Sequence, residues 1–210
     1  MHVAEIWRYP IKSLAGTRLT AAEVTPLGVS QDREIVVVRN GRVADARRYS
    51  KLLGLHGALD ANGRPTIEGH PWDSPEAKEL VARAVGDDID LIEVDGPERF
   101  DVLPLLVATD GAIAALNEDG RRLRPNIVVG GVNGLDERTW PGHRIQIGEV
   151  TIEAAQLRQR CVMTTYDPDT QVQNINVLKR IVSEFDGTMA LDCRVITPGK
   201  ISVGDQVKVL

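Results

Sequence analysis

The sequence is short of aromatic side chains, with three tryptophans, three tyrosines and two phenylalanines in 210 residues. So small a stock suits packing better than an aromatic ligand cage, and with no long lid in view it points to an open site that accepts varied substrates. Cysteine is scarcer still: only Cys161 and Cys193, in unrelated contexts, which indicates neither a disulfide framework nor a zinc knuckle. No apolar run approaches the ~20 residues of a helical membrane span. The opening Met-His-Val-Ala-Glu-Ile-Trp-Arg has no signal-peptide core. Excess positive charge is missing as well: 25 Lys and Arg against 30 Asp and Glu give a net charge of −5, with no basic run to track nucleic acid. The four histidines (His2, His56, His70 and His143) show no ligand spacing. A cytoplasmic, reducing setting without nucleic acid or membrane span is the expectation.

What is present is an ordinary globular balance of 42% hydrophobic and 26% charged residues, long enough to bury a core as one large or two small domains. Arginines gather locally: Arg47 and Arg48, Arg121, Arg122 and Arg124, Arg158 and Arg160. Local positive pockets in an acidic protein favour a small anion over a polymer, although any one of these arginines reads most simply as a solvated surface charge.

Along the chain, His2 to Trp7 predicts a strand ended by Tyr9-Pro10. Lys12-Ser13 falls in the following loop, and a second strand is expected around Leu19 to Val24. Asn40-Gly41 between Glu34–Arg39 and Arg42–Ala44 predicts a hairpin, because Asn-Gly tolerates the positive φ of a type I′ turn. Ser74-Pro75-Glu76 predicts a helix start and Gly86 its stop. Pro97 and Glu98-Arg99 mark a seam near residue 100, dividing the chain into 1–100 and 101–210. Val102 to Ala108 reads as a buried strand. Thr109 or Asp110 then caps an alanine-rich helix closed by Gly120. Ile127–Val129 and a meander from Ile145 to Ala154 follow. Ile175, Leu178, Ile181, Val182 and Phe185 share one face of a helix stopped by Gly187. Lys200–Val203 and Gln206–Leu210 are expected to form a tight hairpin around Gly204-Asp205. Many short strands with three convincing helices predict an α+β fold, predominantly β and barrel-like.

Chemistry concentrates at Leu157–Thr170. Cys161 has Arg158 at i−3 and Arg160 at i−1, and nearby cations favour the thiolate that a nucleophile or metal ligand requires. The plain alternative is a buried cysteine acting as a small hydrophobe, which is how Cys193 reads. Asp167 and Asp169 are acid–base candidates, but Asp-Pro-Asp-Thr is also common turn chemistry.

Arg160-Cys161-Val162-Met163-Thr164-Thr165-Tyr166-Asp167-Pro168-Asp169-Thr170 resembles the cysteine motif of the MOSC family, the molybdenum cofactor sulfurase C-terminal domain. It is closest to the subgroup around the mitochondrial amidoxime-reducing component. Tyr9-Pro10-Ile11-Lys12-Ser13-Leu14, Asp32-Arg33, Arg124-Pro125-Asn126-Ile127-Val128-Val129 and Gly199–Asp205 agree in the same order, so the likeness spans nearly the whole chain. It implies a MOSC N-terminal β-barrel-like domain over 1–100 and a MOSC domain over 101–210. The implied cofactor is molybdenum–molybdopterin, with no pyridoxal phosphate. The residues implied to hold it are Lys12, Ser13, Arg33, Thr109, Asp110, Arg124, Asn126, Arg160 and Cys161. Cys161 would be the metal's soft ligand, Lys12, Ser13 and Arg33 would clamp the phosphate, and Arg124 and Asn126 would hold a ring edge. Apart from the resemblance, Asp167 is the candidate for proton delivery, by analogy with general acid–base sites. Thr109 and Asp110 transfer less closely, since relatives place small hydroxyl residues there, and Gln159 stands where relatives carry a small residue.

The activity implied is reduction of N-hydroxylated compounds, amidoximes and hydroxylamines, by oxygen-atom transfer. The chain ends straight after the closing turn, so electrons are expected from a separate cytochrome b5-like, ferredoxin-like or flavin donor. The competing reading is a carrier of cofactor or persulfide at Cys161 without turnover, and a blander one is a binding module whose cysteine ligates nothing. A near-complete set of phosphate and pterin anchors, which a persulfide carrier would not need, favours the enzyme.

Overall fold

The computed structural model describes residues 1–210. Its main body is an eight-stranded sheet in the spatial order Val207–Val209, Arg144–Ile147, Val150–Gln159, Thr188–Thr197, Leu105–Thr109, Ile127–Gly130, His2–Arg8, Thr17–Leu19. Neighbours are antiparallel except Leu105–Thr109 beside Ile127–Gly130, a parallel pair joined by a crossover containing the helix Asp110–Leu116. Register shifts at three places between Val150–Gln159 and Thr188–Thr197 bend these two longest strands. The sheet curls until the first strand meets the last: His2 bridges Gln206, and Val3 N–H donates to Asp205 O at 2.9 Å. The fold is thus the predominantly β, barrel-like α+β architecture expected.

Strand alternation puts Val3, Ile6, Leu105, Val107, Ile127, Val129, Ile145, Ile147, Ile152 and Leu191 into one core. Cys193 is fully buried there, and burial pushes its thiol well above the ordinary range. It is a core residue, as its sequence context suggested.

A smaller unit is built from Ile35–Arg39, Arg42–Val43 and Ile89–Glu93, the hairpins Gly57–Leu59, Pro65–Ile67 and His70–Pro71, and the helix Pro75–Val85. Asn40 and Gly41 take φ of 49° and 71°, the left-handed pair a type I′ turn needs. Ser74 Oγ accepts from Ala77 N–H at 3.2 Å to start the helix, and Ala77, Val81 and Val85 turn inward onto Ile35, Val37, Leu52, Ile67 and Ile89.

The seam near residue 100 follows this smaller unit in sequence, but packing crosses it. His2–Arg8 and Thr17–Leu19 complete the large sheet, and Ala21–Thr25 pairs with Gly199–Ser202. The smaller unit is therefore spliced between strands of the larger one.

Several local expectations give way to these pairings. The Gly204-Asp205 turn exists, with Asp205 Oδ2 accepting from Ser202 N–H at 2.7 Å, but no hairpin follows it. Gly199–Ser202 pairs with Ala21–Thr25 and Val207–Val209 with Arg144–Ile147, because Ile201 and Val207 bury themselves through different partner strands. The helix Asp110–Leu116 stops at Asn117 in the left-handed conformation, before Gly120. The strand expected from Val102 begins at Leu105, since Val102 is exposed on a linker. The strand around Leu19 is two strands in different sheets.

Gly28 holds that linker in place. Its φ is +83° and a Cβ there would lie 2.5 Å from Pro104 O. Gly28→Ala is expected to cost about 2 kcal/mol or more, from left-handed strain plus displaced backbone, read as a lower urea midpoint.

Candidate functional site

Cys161 follows the end of Val150–Gln159. Arg160 N–H donates to Gly187 O at 2.9 Å, and Cys161 itself is extended, opening a short helical turn over Val162–Thr165. The Cys161 carbonyl accepts from Thr164 N–H at 3.1 Å and from Thr164 Oγ1 at 2.8 Å. Thr164 and Thr165 are fully buried, so the backbone is pinned while the thiol stays half-buried at a cleft.

That cleft brings together Lys12, Ser13, Arg33, Arg124, Asn126, Arg160 and Cys161 from four separate segments. Buried Asn126 is the hub. Its Oδ1 accepts from Leu106 N–H at 3.2 Å and from Arg33 Nη1 at 3.3 Å, and its Nδ2 donates to Trp7 O at 3.4 Å. Arg33 is also bonded to buried Asp32, whose Oδ1 accepts from Tyr9 N–H at 2.7 Å. Arg124 donates to Leu14 O at 2.6 Å, and its guanidinium carbon lies 4.4 Å from the Tyr9 ring centroid. Arg33 lies 5.0 Å from the same ring. Burial pushes the Tyr9 hydroxyl up to about 12, so it remains protonated. Burial, with like charge from neighbouring arginines, lowers Arg124 and Arg160 to about 10, leaving both charged at neutral pH.

Three of these residues hold left-handed backbones that side chains seldom adopt: Ser13 at φ 75°, Arg33 at 59° and Arg124 at 54°. Each costs roughly 1–2 kcal/mol, and such strain collects where function demands a geometry. Ser13 Oγ meanwhile accepts from Ala46 N–H at 3.0 Å, tying its loop to the smaller unit.

Thr109, Asp110 and Asp167 are not brought into this cleft. Thr109 Oγ1 accepts from Ala112 N–H at 3.1 Å and donates to Glu137 Oε2 at 3.2 Å, so it is occupied as a cap. Asp110 accepts from Gly131, Val132 and Gly111 N–H; burial pushes its carboxyl up, but these donors outweigh that and hold it below the ordinary range. Its carboxylate pins a loop. Asp167 lines an adjoining cleft beside Arg121 and Asp169. Its Oδ1 accepts from Thr170 N–H at 2.9 Å, Thr170 Oγ1 at 3.0 Å and Asp169 N–H at 3.1 Å; those bonds, Thr170's foremost, hold its carboxyl below the ordinary range.

Glu137, the partner of Thr109, is 1% exposed, and burial raises its carboxyl. A raised folded-state pKa makes protonation stabilising: the contribution is complete below the unfolded value and is lost as pH rises through the folded one. Glu137→Gln is therefore expected to gain stability relative to wild type from pH 4 to pH 8, a trend that thermal melts across that range would show.

The cleft also holds residues that sequence reasoning did not assign to it: Asp45, Arg99, Asp101, Arg158 and Asp192. Arg158 had been visible beside Cys161, but nothing local links it to Asp192 at 3.2 Å or to Asp101 at 3.5 Å. Asp192 is 2% exposed, and burial raises its carboxyl despite that arginine. No group of three or more His, Cys, Asp or Glu side chains gathers for a metal ion. The Nε atoms of Arg99 and Arg160 are buried without hydrogen-bond partners. One soft sulfur among cations, an amide and a hydroxyl fits an anionic, hydrogen-bonding ligand whose metal brings further donors of its own.

A barrel-like sheet with a spliced smaller unit carries one half-buried thiol at their cationic junction, and two family models match this chain. The model described as MOSC N-terminal beta barrel domain matches residues 1–88, and that described as MOSC domain matches 106–208. The chain belongs to the MOSC family. Mitochondrial amidoxime reducing component 2 of Macaca fascicularis is 27% identical over 229 residues, covering 81% of this chain and 68% of that protein. Mitochondrial amidoxime-reducing component 1 of Homo sapiens is 24% identical over 231 residues, covering 82% and 68%. Among solved structures, the YUAD protein from Bacillus subtilis shares the fold with a TM-score of 0.51 at 12% identity, over 99% of this chain and 94% of that one. No helix is long and apolar enough to cross a membrane.

Proposed function

We propose that the cleft holds a molybdenum–pterin cofactor and that the protein reduces N-hydroxylated compounds, the chemistry named in its amidoxime-reducing relatives. The observation that carries this reading is the convergence of Cys161 with Lys12, Ser13, Arg33, Arg124, Asn126 and Arg160 on one cleft. When bound, the cofactor supplies two-electron oxygen-atom acceptance. The overall change is N–OH plus two electrons and two protons to N–H plus water.

The chain's share is binding, orientation and charge. Cys161 offers a thiolate as soft ligand, and Arg160 offsets negative charge beside it. Lys12, Ser13 and Arg33 take the phosphate, and Arg124 and Asn126 the ring edge, braced by Tyr9. Thr109 and Asp110 support the site only through the crossover they cap. For proton delivery Asp192 is better placed than Asp167, being a raised carboxyl in the same cleft as Cys161. Electrons come from a separate haem, ferredoxin-like or flavin donor. The two free thiols suit a reducing, cytoplasmic setting.

Carriage of a persulfide or of the cofactor itself is the second reading, favoured by the half-buried, accessible Cys161 thiol. Protein from a cofactor-producing host is expected to contain near-stoichiometric molybdenum and pterin and to reduce benzamidoxime with a chemical electron donor. Molybdenum without turnover selects the carrier; absence of both molybdenum and pterin rejects the enzyme reading.

A further inference from the structure

We infer that Asp101 occupies a seat built for an oxyanion, and that a phosphate-type group binds among Lys12, Arg47 and Arg158 by displacing it. Lys12 Nζ lies 2.9 Å from Asp101 Oδ1, Arg47 Nη2 3.6 Å from the same oxygen, and Arg158 Nη2 3.5 Å from Oδ2. Three cations thus converge on one carboxylate inside the cleft.

The cations do not depend on Asp101 for their positions. Lys12 also donates to Arg99 O at 2.9 Å, Arg47 Nε to Asp45 Oδ2 at 2.8 Å, and Arg158 Nη1 to Asp192 Oδ1 at 3.2 Å. Withdrawal of Asp101 would leave a preformed cationic seat. The surrounding wall favours an anion too, since lysine and arginine outnumber aspartate six to three among its lining residues. Phosphate and carboxylate present similar oxygens to such donors, but phosphate brings more oxygens and more charge.

Asp101 is also free to leave. It stands on the linker between the smaller unit and Leu105–Thr109, outside any helix or strand, and its side chain is 30% exposed. Buried Arg99 secures one side of the linker by donating to Val94 O and Asp95 O, and the Gly28 contact with Pro104 secures the other. Turning one short side chain toward water opens the seat without moving either unit. The ligand is a phosphate monoester or inorganic phosphate. Only the first source rests on the cofactor reading above.

The test uses cofactor-free full-length protein and inorganic phosphate. Asp101→Asn is expected to bind phosphate at least tenfold more tightly than wild type by titration calorimetry. Its Tm should rise in phosphate more than in sodium chloride of equal ionic strength. Adding Arg158→Gln should abolish the gain. Equal affinity of wild type and Asp101→Asn, or equal stabilisation by chloride, overturns the proposal. Should Asp101→Asn fail to fold, Arg47→Gln and Arg158→Gln in otherwise wild-type protein decide: each should weaken phosphate binding at least threefold, and unchanged affinity in both overturns the seat. Loss of phosphate binding in cofactor-loaded protein assigns the seat to the cofactor's own phosphate, and retained binding assigns it to the free ion. A gain by Asp101→Asn in a protein that never acquires molybdenum or pterin would leave the seat standing while the enzyme reading falls.

Discussion

Cys161→Ser is expected to remove at least nine-tenths of the bound molybdenum and of the benzamidoxime turnover while leaving the fold intact. A serine hydroxyl is a hard, neutral donor at physiological pH, whereas the thiolate is soft and anionic and matches a sulfur-ligated metal. Little else should change. The substitution is nearly isosteric, the thiol is half-buried, and the backbone is held through the Cys161 carbonyl by Thr164. Stability should therefore stay within about 0.5 kcal/mol of wild type. Pterin should fall less than the metal, because Arg124, Asn126, Arg33 and Lys12 remain in the cleft. Elemental analysis beside pterin fluorescence and turnover measures all three, and a variant with full molybdenum and full turnover would remove Cys161 from the metal's coordination.

Asp32→Ala should have the largest effect on stability. Asp32 is fully buried; one carboxylate oxygen takes the Tyr9 N–H and the other takes Arg33. Alanine leaves a buried amide unsatisfied and a largely buried guanidinium unpaired. Breaking such a pair costs about 3–5 kcal/mol, roughly a 10 °C fall in Tm for a chain of this size. Asp32→Asn keeps an acceptor for Tyr9 and should lose less. The same change frees Arg33 from its alignment with Asn126, so cofactor content should fall with stability. Urea unfolding of the two variants checks the order, and an alanine variant within 1 kcal/mol of wild type contradicts it.

The features that could be read in advance were local ones. Asn40-Gly41 and Ser74-Pro75 encode their turn and helix start within a few residues, and the bonds that realise them are equally short-range. Thr188–Thr197 is not legible as a strand in the sequence although it is among the longest. Asp192 and Arg194 interrupt its apolar run, and three register shifts against its neighbour spoil simple alternation. The closing hairpin does not form for a related reason: the turn chemistry at Gly204-Asp205 is genuine, but the two arms are claimed by strands distant in sequence, Ala21–Thr25 for one and Arg144–Ile147 for the other. At the cleft, the cysteine motif and the anchors named with it carry recognisable neighbours in sequence. Asp101 and Asp192 do not; each is an isolated aspartate until folding sets it against Arg158. Thr109 and Asp110 show the converse, since a cap and a ligand contact look alike in sequence and only their partners tell them apart.

The splicing of the smaller unit between strands of the barrel also sets the timetable by which the chain can fold on the ribosome. The first strand pairs with Ile127–Gly130, and Val3 bonds Asp205. At about 5–20 residues per second, some 10–40 s separate the synthesis of His2 from that of Val207. The unit over residues 35–93, whose ladders are internal and whose bridges at Ile11 and Ala15 reach only the segment just before it, can form during that wait. The opening strand, with Val3 and Ile6 still uncovered, must stay out of other partnerships until its own arrive. Nascent-chain aggregation and chaperone demand should therefore track the first eight residues more than the smaller unit that follows them.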